Sequence, residues 1–258
     1  PFKINNGFLN TKNTFVNTNQ NKFDVIISRH VLEHIKNLRD FFDSLNIILK
    51  QNGILIIEVP DFQTNLDFTD YALWEEHVNY FTIETLHILF GLNGFRIFYY
   101  DTAMYTGRAV TVYAMKSNKI SFDKSKSEYM SKLKYGENFY EFKQNFNKFI
   151  NKYSKTAIYG CGAKSSFLAN VLELKNIENF IDDQKEKLNY FVPGIEKQIK
   201  PWDNSFNNYL KLLGVNFENE AKVINKRNLK KENTFSILPP SKNIPKFWIE
   251  KYFKGKKI

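Results

Sequence analysis

The apolar positions change period several times along the chain, and each change marks an expected element. Phe23-Asp24-Val25-Ile26-Ile27-Ser28 is a short β-branched run bounded by polar residues, the pattern of a buried parallel strand. Leu38, Phe41, Phe42, Leu45, Ile48 and Leu49 then recur at helical spacing. Asn52-Gly53 is expected to stop that helix, with Gly53 as its left-handed terminating residue. Ile54-Leu55-Ile56-Ile57-Glu58-Val59-Pro60 follows as a second buried strand, and the order strand, helix, strand predicts a parallel pair joined by a right-handed crossover. Ile83, Leu86, Leu89 and Phe90 mark the next helix, ended by Asn93-Gly94. Residues 95–100 and 108–115 read as two further strands joined by a linker containing Thr106-Gly107, which suggests an antiparallel edge on a mostly parallel sheet.

The second half repeats the alternation after a break. Residues 129–153 carry Met130, Leu133, Phe139, Phe142, Phe146, Phe149 and Ile150 on a roughly helical period, as a connecting segment between domains would. Lys155-Thr156-Ala157-Ile158-Tyr159 reads as a strand running into Gly160-Cys161-Gly162-Ala163-Lys164-Ser165 and then an apolar helix through Leu174. Phe180-Ile181-Asp182-Asp183 ends the next strand, with Val192-Pro193-Gly194 in the loop beyond. The expected class is therefore α/β, with one unit over residues 1–116, a helical connector over 117–153 and a second α/β unit over 154–258.

Composition narrows the partners. A chain of 258 residues, 43% hydrophobic and 16% aromatic, is globular and long enough for two cores. The formal net charge of +10 is dispersed through Lys- and Asn-rich stretches, and only residues 251–257 form a dense basic run, expected as solvated surface. Dispersed charge argues against nucleic acid and suits a small anionic substrate such as a nucleotide or phosphate ester. The single cysteine, Cys161, excludes an intramolecular disulfide and a cysteine-based zinc site, and no metal is expected. Without an apolar run near the roughly 20 residues that span a bilayer, or a visible signal peptide, the chain is expected to be soluble and cytoplasmic. It begins at Pro1 inside polar sequence, as a fragment of a longer protein would.

Proton-transfer chemistry concentrates in Trp74-Glu75-Glu76-His77-Val78-Asn79-Tyr80-Phe81. His77 is the candidate base, with Glu76 and Tyr80 near enough in sequence to orient it; the plain alternative is a histidine that pads the following helix. Ligands of parallel sheets lie at the carboxyl ends of strands, which selects Ser28-Arg29-His30 and the segment after Pro60-Asp61. Gly160, Gly162 and Lys164 mark a strand–turn–helix anion site, or else tight helix–strand packing. Asn216 and Glu218 follow an apolar run at another such end, where Asn216 could equally cap a helix starting from Glu220.

Residues 23–35, the stretch Leu49-Lys50-Gln51-Asn52-Gly53 with the strand after it, and Gly91-Leu92-Asn93-Gly94-Phe95 resemble the later half of a class I S-adenosylmethionine-dependent methyltransferase. Glu76-His77-Val78-Asn79-Tyr80-Phe81 is similar to the Glu-His-x-x-Tyr-Phe segment of sugar C-methyltransferases that act on nucleotide-linked keto-sugars. Ile158-Tyr159-Gly160-Cys161-Gly162-Ala163-Lys164, Ile181-Asp182-Asp183 with Lys187, and Pro193-Gly194 look like the second Rossmann-like domain of that family, which helps hold the substrate. Residues 212–220 and 236–241 resemble segments of a bacterial branch of these two-domain enzymes. The resemblance implies S-adenosylmethionine as cofactor, near Ser28, Arg29 and His30. It implies a nucleotide-sugar acceptor near Gly160, Gly162, Lys164, Asn216 and Glu218, and catalysis by His77, Glu76 and Tyr80. The glycine-rich cofactor loop, the acidic residue that ends the second strand and the cysteine-rich amino-terminal region of the family have no counterpart here, and would lie before Pro1. Where the family commonly has tyrosine and histidine just before the glutamate, this chain has Trp74 and Glu75. Since indole is only a hydrogen-bond donor, that change leaves room for O-methylation of a small sugar or phosphorylated acceptor. A truncated, non-catalytic module that uses the second domain to hold a nucleotide is the competing expectation.

Overall fold

In a computed structural model, which describes residues 4, 6–104, 107–118 and 126–253, the chain forms two units: residues 1–63 with 76–125, and residues 64–75 with 126–258. Thr106 and most of the basic run at 251–257 lie outside the described residues. The first unit holds α1 (Thr14–Thr18), β1 (Phe23–Arg29), α2 (Leu38–Ile48) and β2 (Leu49–Pro60). After α3 (Gln63–Phe68), which begins at the division, it continues with α4 (Ile83–Leu92), β3 (Phe95–Met104) and β4 (Arg108–Lys116). The strand order is β1-β2-β4-β3, with β1 and β2 parallel and the other pairs antiparallel, as the spacing of the apolar runs anticipates.

Local chemistry starts both helices. The Asn37 side chain accepts from the Asp40 N–H at the head of α2, and Thr82 with Thr85 forms a reciprocal capping box at the head of α4. Beneath them Leu55, Ile57 and Val59 of β2 are fully buried, and Phe42 packs on Phe90 and Phe95 at ring separations of 5.1 and 5.9 Å.

Two expectations fail in this unit. Gly53 does not terminate α2: the chain passes directly into β2, and Gly53 sits inside the strand. A Cβ there would meet the Leu49 side chain at 2.7 Å and the Asp24 carbonyl at 3.1 Å, so the glycine serves a close approach where the register with β1 slips. Nor is β1 a buried strand. Its only strand neighbour among the described residues is β2, and Val25 and Ile27 are 47% and 63% exposed because nothing described covers their face.

The second unit contains α5 (Lys126–Glu137), α6 (Phe139–Ile150), β5 (Thr156–Tyr159), α7 (Ala163–Val171) and β6 (Ile177–Ile181). It is completed by β7 (Ile199–Lys200), β8 (Leu210–Leu213), α8 (Phe217–Arg227), β9 (Thr234–Ser236) and α9 (Lys246–Tyr252). Its five strands, ordered β7-β6-β5-β8-β9, are all parallel. Ile158 and Leu212 face a core that includes Phe142, Phe146 and Ile150 of α6 and Trp248 of α9, whereas Ala157, Tyr159 and Leu213 face a second cluster with Phe206 and Leu229. Trp248 donates its indole N–H to the Phe68 carbonyl at 2.7 Å, which ties α9 to the end of α3.

Candidate functional site

The His77 segment is held by backbone bonds at the carboxyl ends of the parallel pair. The N–H groups of Val78 and Asn79 both donate to the Glu33 carbonyl, at 2.9 and 3.1 Å, and the Asn79 side chain donates to the Ile35 carbonyl at 2.7 Å. Farther on, Phe62 N–H donates to the Phe81 carbonyl at 2.8 Å, just after β2. His77 is thereby fixed beside the short turn Leu32–His34 that follows β1. Its ring lies edge-on to His34 at 4.8 Å and tilted toward Tyr80 at 6.0 Å. Glu76 contributes its main chain here: its carbonyl lies 3.0 Å from His34 Nδ1, while its side chain is exposed. A carbonyl can only accept, so in this bond Nδ1 of His34 is the donor, and in the neutral ring Nε2 then carries the lone pair.

Ser28, Arg29 and His30 occupy the carboxyl end of β1, and two of them converge on Glu58 of β2. Arg29 Nε and Nη2 donate to Glu58 Oε1 at 3.0 and 2.8 Å, His30 Nε2 lies 3.2 Å from the same oxygen, and Thr111 donates to the other at 3.1 Å. Burial alone would raise the Glu58 carboxyl, but the Arg29 and Thr111 bonds outweigh it and hold the group below its ordinary range. His30 turns the chain sharply with a left-handed φ of 51°.

The second unit carries an open cavity of about 670 Å³. Gly160 has φ of 97°, and a Cβ on it would strike Val215 at 2.6 Å, so only glycine lets β5 turn so close to Gly214. The Cys161 N–H donates to Asp182 Oδ2 at 2.8 Å, and Lys187 approaches the same oxygen at 3.2 Å. Burial and the neighbouring Asp182 push the Cys161 thiol up to about 12, so it is no nucleophile at neutral pH. Gly160, Gly162, Lys164 and Asn216 all line this cavity. Glu218 does not: it is exposed on the outer side of α8, and Asn219, Lys222 and Lys226 face inward instead. Steps of three and four from Asn216 along a helix would have selected those three. Asn216 does precede α8, but its side chain makes no capping bond, and the helix starts at Phe217, three residues before Glu220.

Trp74, which its sequence did not mark as a binding residue, also lines the cavity, with Lys164 Nζ 5.9 Å from its ring. The stretch from Trp74 to Phe81 is thus divided, with Trp74 and Glu75 in the second unit and Glu76 onward in the first.

Residues 3–99 match the family described as methyltransferase domain. Solved structures similar to the chain include a protein from Pyrococcus horikoshii, 14% identical over 38% of this chain and 54% of that one, with a TM-score of 0.32. Others are a SAM-dependent methyltransferase from Methanosarcina mazei (16% identity, 39% and 62% covered, TM-score 0.31) and the YcgJ protein of Bacillus subtilis (12% identity, 39% and 66% covered, TM-score 0.29). The chain spans about half to two thirds of the length of these structures. No curated protein matches it.

Ser28, Arg29 and His30 lie together at the end of β1. They offer a polar edge at a strand end, but the Arg29 guanidinium is already engaged by Glu58. Among the described residues no helix is long and apolar enough to cross a membrane.

Proposed function

We propose that the chain belongs to an enzyme that moves a methyl group from S-adenosylmethionine to a sugar carried on a nucleotide, with C-methylation beside a keto group favoured. The observation that carries this reading is the stitching of residues 76–81 to the residues that follow β1 and β2, where parallel sheets bind their ligands. Removing a proton from carbon next to a carbonyl needs a positioned base, because that carbon acid is far weaker than any side chain at neutral pH. His77 is the base, Tyr80 shapes the pocket beside it, and Glu76 positions the segment through its carbonyl bond to His34. The proton passes to the imidazole and the C–H electron pair stays on the acceptor as an enolate. When bound, S-adenosylmethionine supplies the electrophilic methyl group. In the second unit, Lys164 and Lys222 offer cationic groups suited to a nucleotide diphosphate where the head of α7 lines the cavity, with the Trp74 ring beside Lys164 as a surface for stacking.

The test uses the full-length natural protein, methyl-labelled cofactor and a panel of nucleotide-linked keto-sugars. Label on carbon is the expected result, and His77→Ala should lower kcat about 100-fold or more while cofactor affinity is kept. An unaltered turnover removes His77 as the base, and label on oxygen converts the reading to O-methylation. Failure of the full-length protein to bind the cofactor would leave a nucleotide-binding module.

A further inference from the structure

Glu33 follows β1 as a buried carboxylate. It is only 1% exposed, and neither of its carboxylate oxygens has a hydrogen-bond partner. His30 Nδ1 stands 3.4 Å from Oε1, an ion-pair distance without the geometry of a hydrogen bond. Buried carboxylates are otherwise found paired, protonated or on a metal, because desolvating an unpaired charge is costly. Next to it in sequence is His34, and across the turn is His77. One ligand atom from each of these three residues lies within 4.8 Å of the other two.

We infer that Glu33, His34 and His77 form a binding site for a divalent transition-metal ion, with zinc the best match to two imidazoles and one carboxylate. Three features favour a metal over a chance cluster. The chemistry of the set is that of a three-ligand zinc site, which leaves a position open to water or substrate. The His34 Nδ1–H is spent on the Glu76 carbonyl, the outer hydrogen bond that fixes the tautomer of a ligating histidine and leaves Nε2 free to coordinate. The bonds from Val78 and Asn79 to the Glu33 carbonyl pin the two chain segments together, so the ligands are organised before any ion arrives. Closing on an ion with bonds of about 2.0–2.2 Å brings the ligand atoms in by roughly an ångström, a movement open to the exposed His34 side chain. A single cysteine rules out only cysteine-based sites and has no bearing on this one.

The site goes beyond the methyl-transfer reading and stands without it. Its consequence for catalysis does rest on that reading: an ion on His77 takes the lone pair that a base needs, so zinc is expected to inhibit methyl transfer.

Calorimetric titration of the full-length protein with zinc chloride, without cofactor or acceptor, tests the site, and cobalt(II) absorption reports its coordination. One equivalent per chain should bind, and Glu33→Gln, His34→Ala and His77→Ala should each weaken it about tenfold or more. His87→Ala, on α4 away from the cluster, should leave it unchanged. Absence of zinc binding overturns the proposal, as does binding that survives Glu33→Gln and His34→Ala unaltered, which would make Glu33 only the ionic neighbour of His30. Should Glu33→Gln fail to fold by circular dichroism, the exposed His34→Ala decides alone. Because the titration needs no turnover, its failure leaves methyl transfer standing, and a failed methyl-transfer assay leaves the zinc site standing.

Discussion

The two units use the same strand–helix alternation and reach opposite degrees of closure. In the second, β5 and β8 are buried along their whole length, with an aromatic cluster on one face and the Tyr159–Phe206 cluster on the other. In the first, the face of β2 bearing Leu55, Ile57 and Val59 is sealed, whereas β1 exposes Val25 and Ile27, and β3 is exposed from Phe98 to Met104. An all-parallel sheet is stable in water only when both faces are covered, and a sheet with an antiparallel edge tolerates one open side. The difference also sorts the chemistry. The clustered titratable groups Glu33, His34 and His77 belong to the open unit, and the cavity edged by Gly160 and Gly162 belongs to the closed one.

The sharpest break in this contrast is a pair of truncations. Phe142→Ala removes a fully buried ring that packs on Trp248 at 4.6 Å, and is expected to cost about 3–5 kcal/mol in urea unfolding. Ile27→Ala, on the bare face of β1, should stay within about 0.5 kcal/mol in this chain. Equal losses would show that the first unit is as closed as the second.

A smaller effect probes the cost of closure itself. Burial pushes the Asp70 carboxyl in the second unit up to about 6, against the opposing pull of Lys164. The fold therefore favours the protonated acid, and its charge becomes a burden as pH rises from about 4 through 6. Asp70→Asn keeps an acceptor for the Ala72 N–H and should stabilise the chain by about 2–3 kcal/mol at pH 8, with the gain vanishing near pH 3. A gain that persists in acid would point to packing rather than charge.

The smallest expected change belongs to the open unit. Glu58 is held below its ordinary range, so it stabilises the fold above its unfolded pKa of 4.5, and that contribution is lost as pH falls through the folded value. Glu58→Gln should cost no more than about 1 kcal/mol at pH 7, since Arg29 is largely exposed, and the difference should fade in acid. A larger loss would mark the Arg29–Glu58–His30 cluster as a structural core of the unit.

Much of this was legible in the residues. The period of the apolar positions gave β1, α2, β2, α4 and the antiparallel pair, and the Gly160–Gly162 turn announced the cavity edge, because local sequence fixes period, caps and turns. Three kinds of fact were not. Whether Val25 and Ile27 are buried depends on what covers their face, and a β-branched run looks alike on either side of that question. Gly53 reads as a helix stop until Leu49 and Asp24 are seen to crowd it, since close approach involves residues that only pairing brings together. The grouping of Glu33 and His34 with His77, more than forty residues away, was invisible for the same reason. Sequence determines which groups the chain carries and how each short stretch bends; which of them face one another is decided by the tertiary fold, through hydrogen bonds such as those from Val78 and Asn79 to Glu33 that no local pattern encodes.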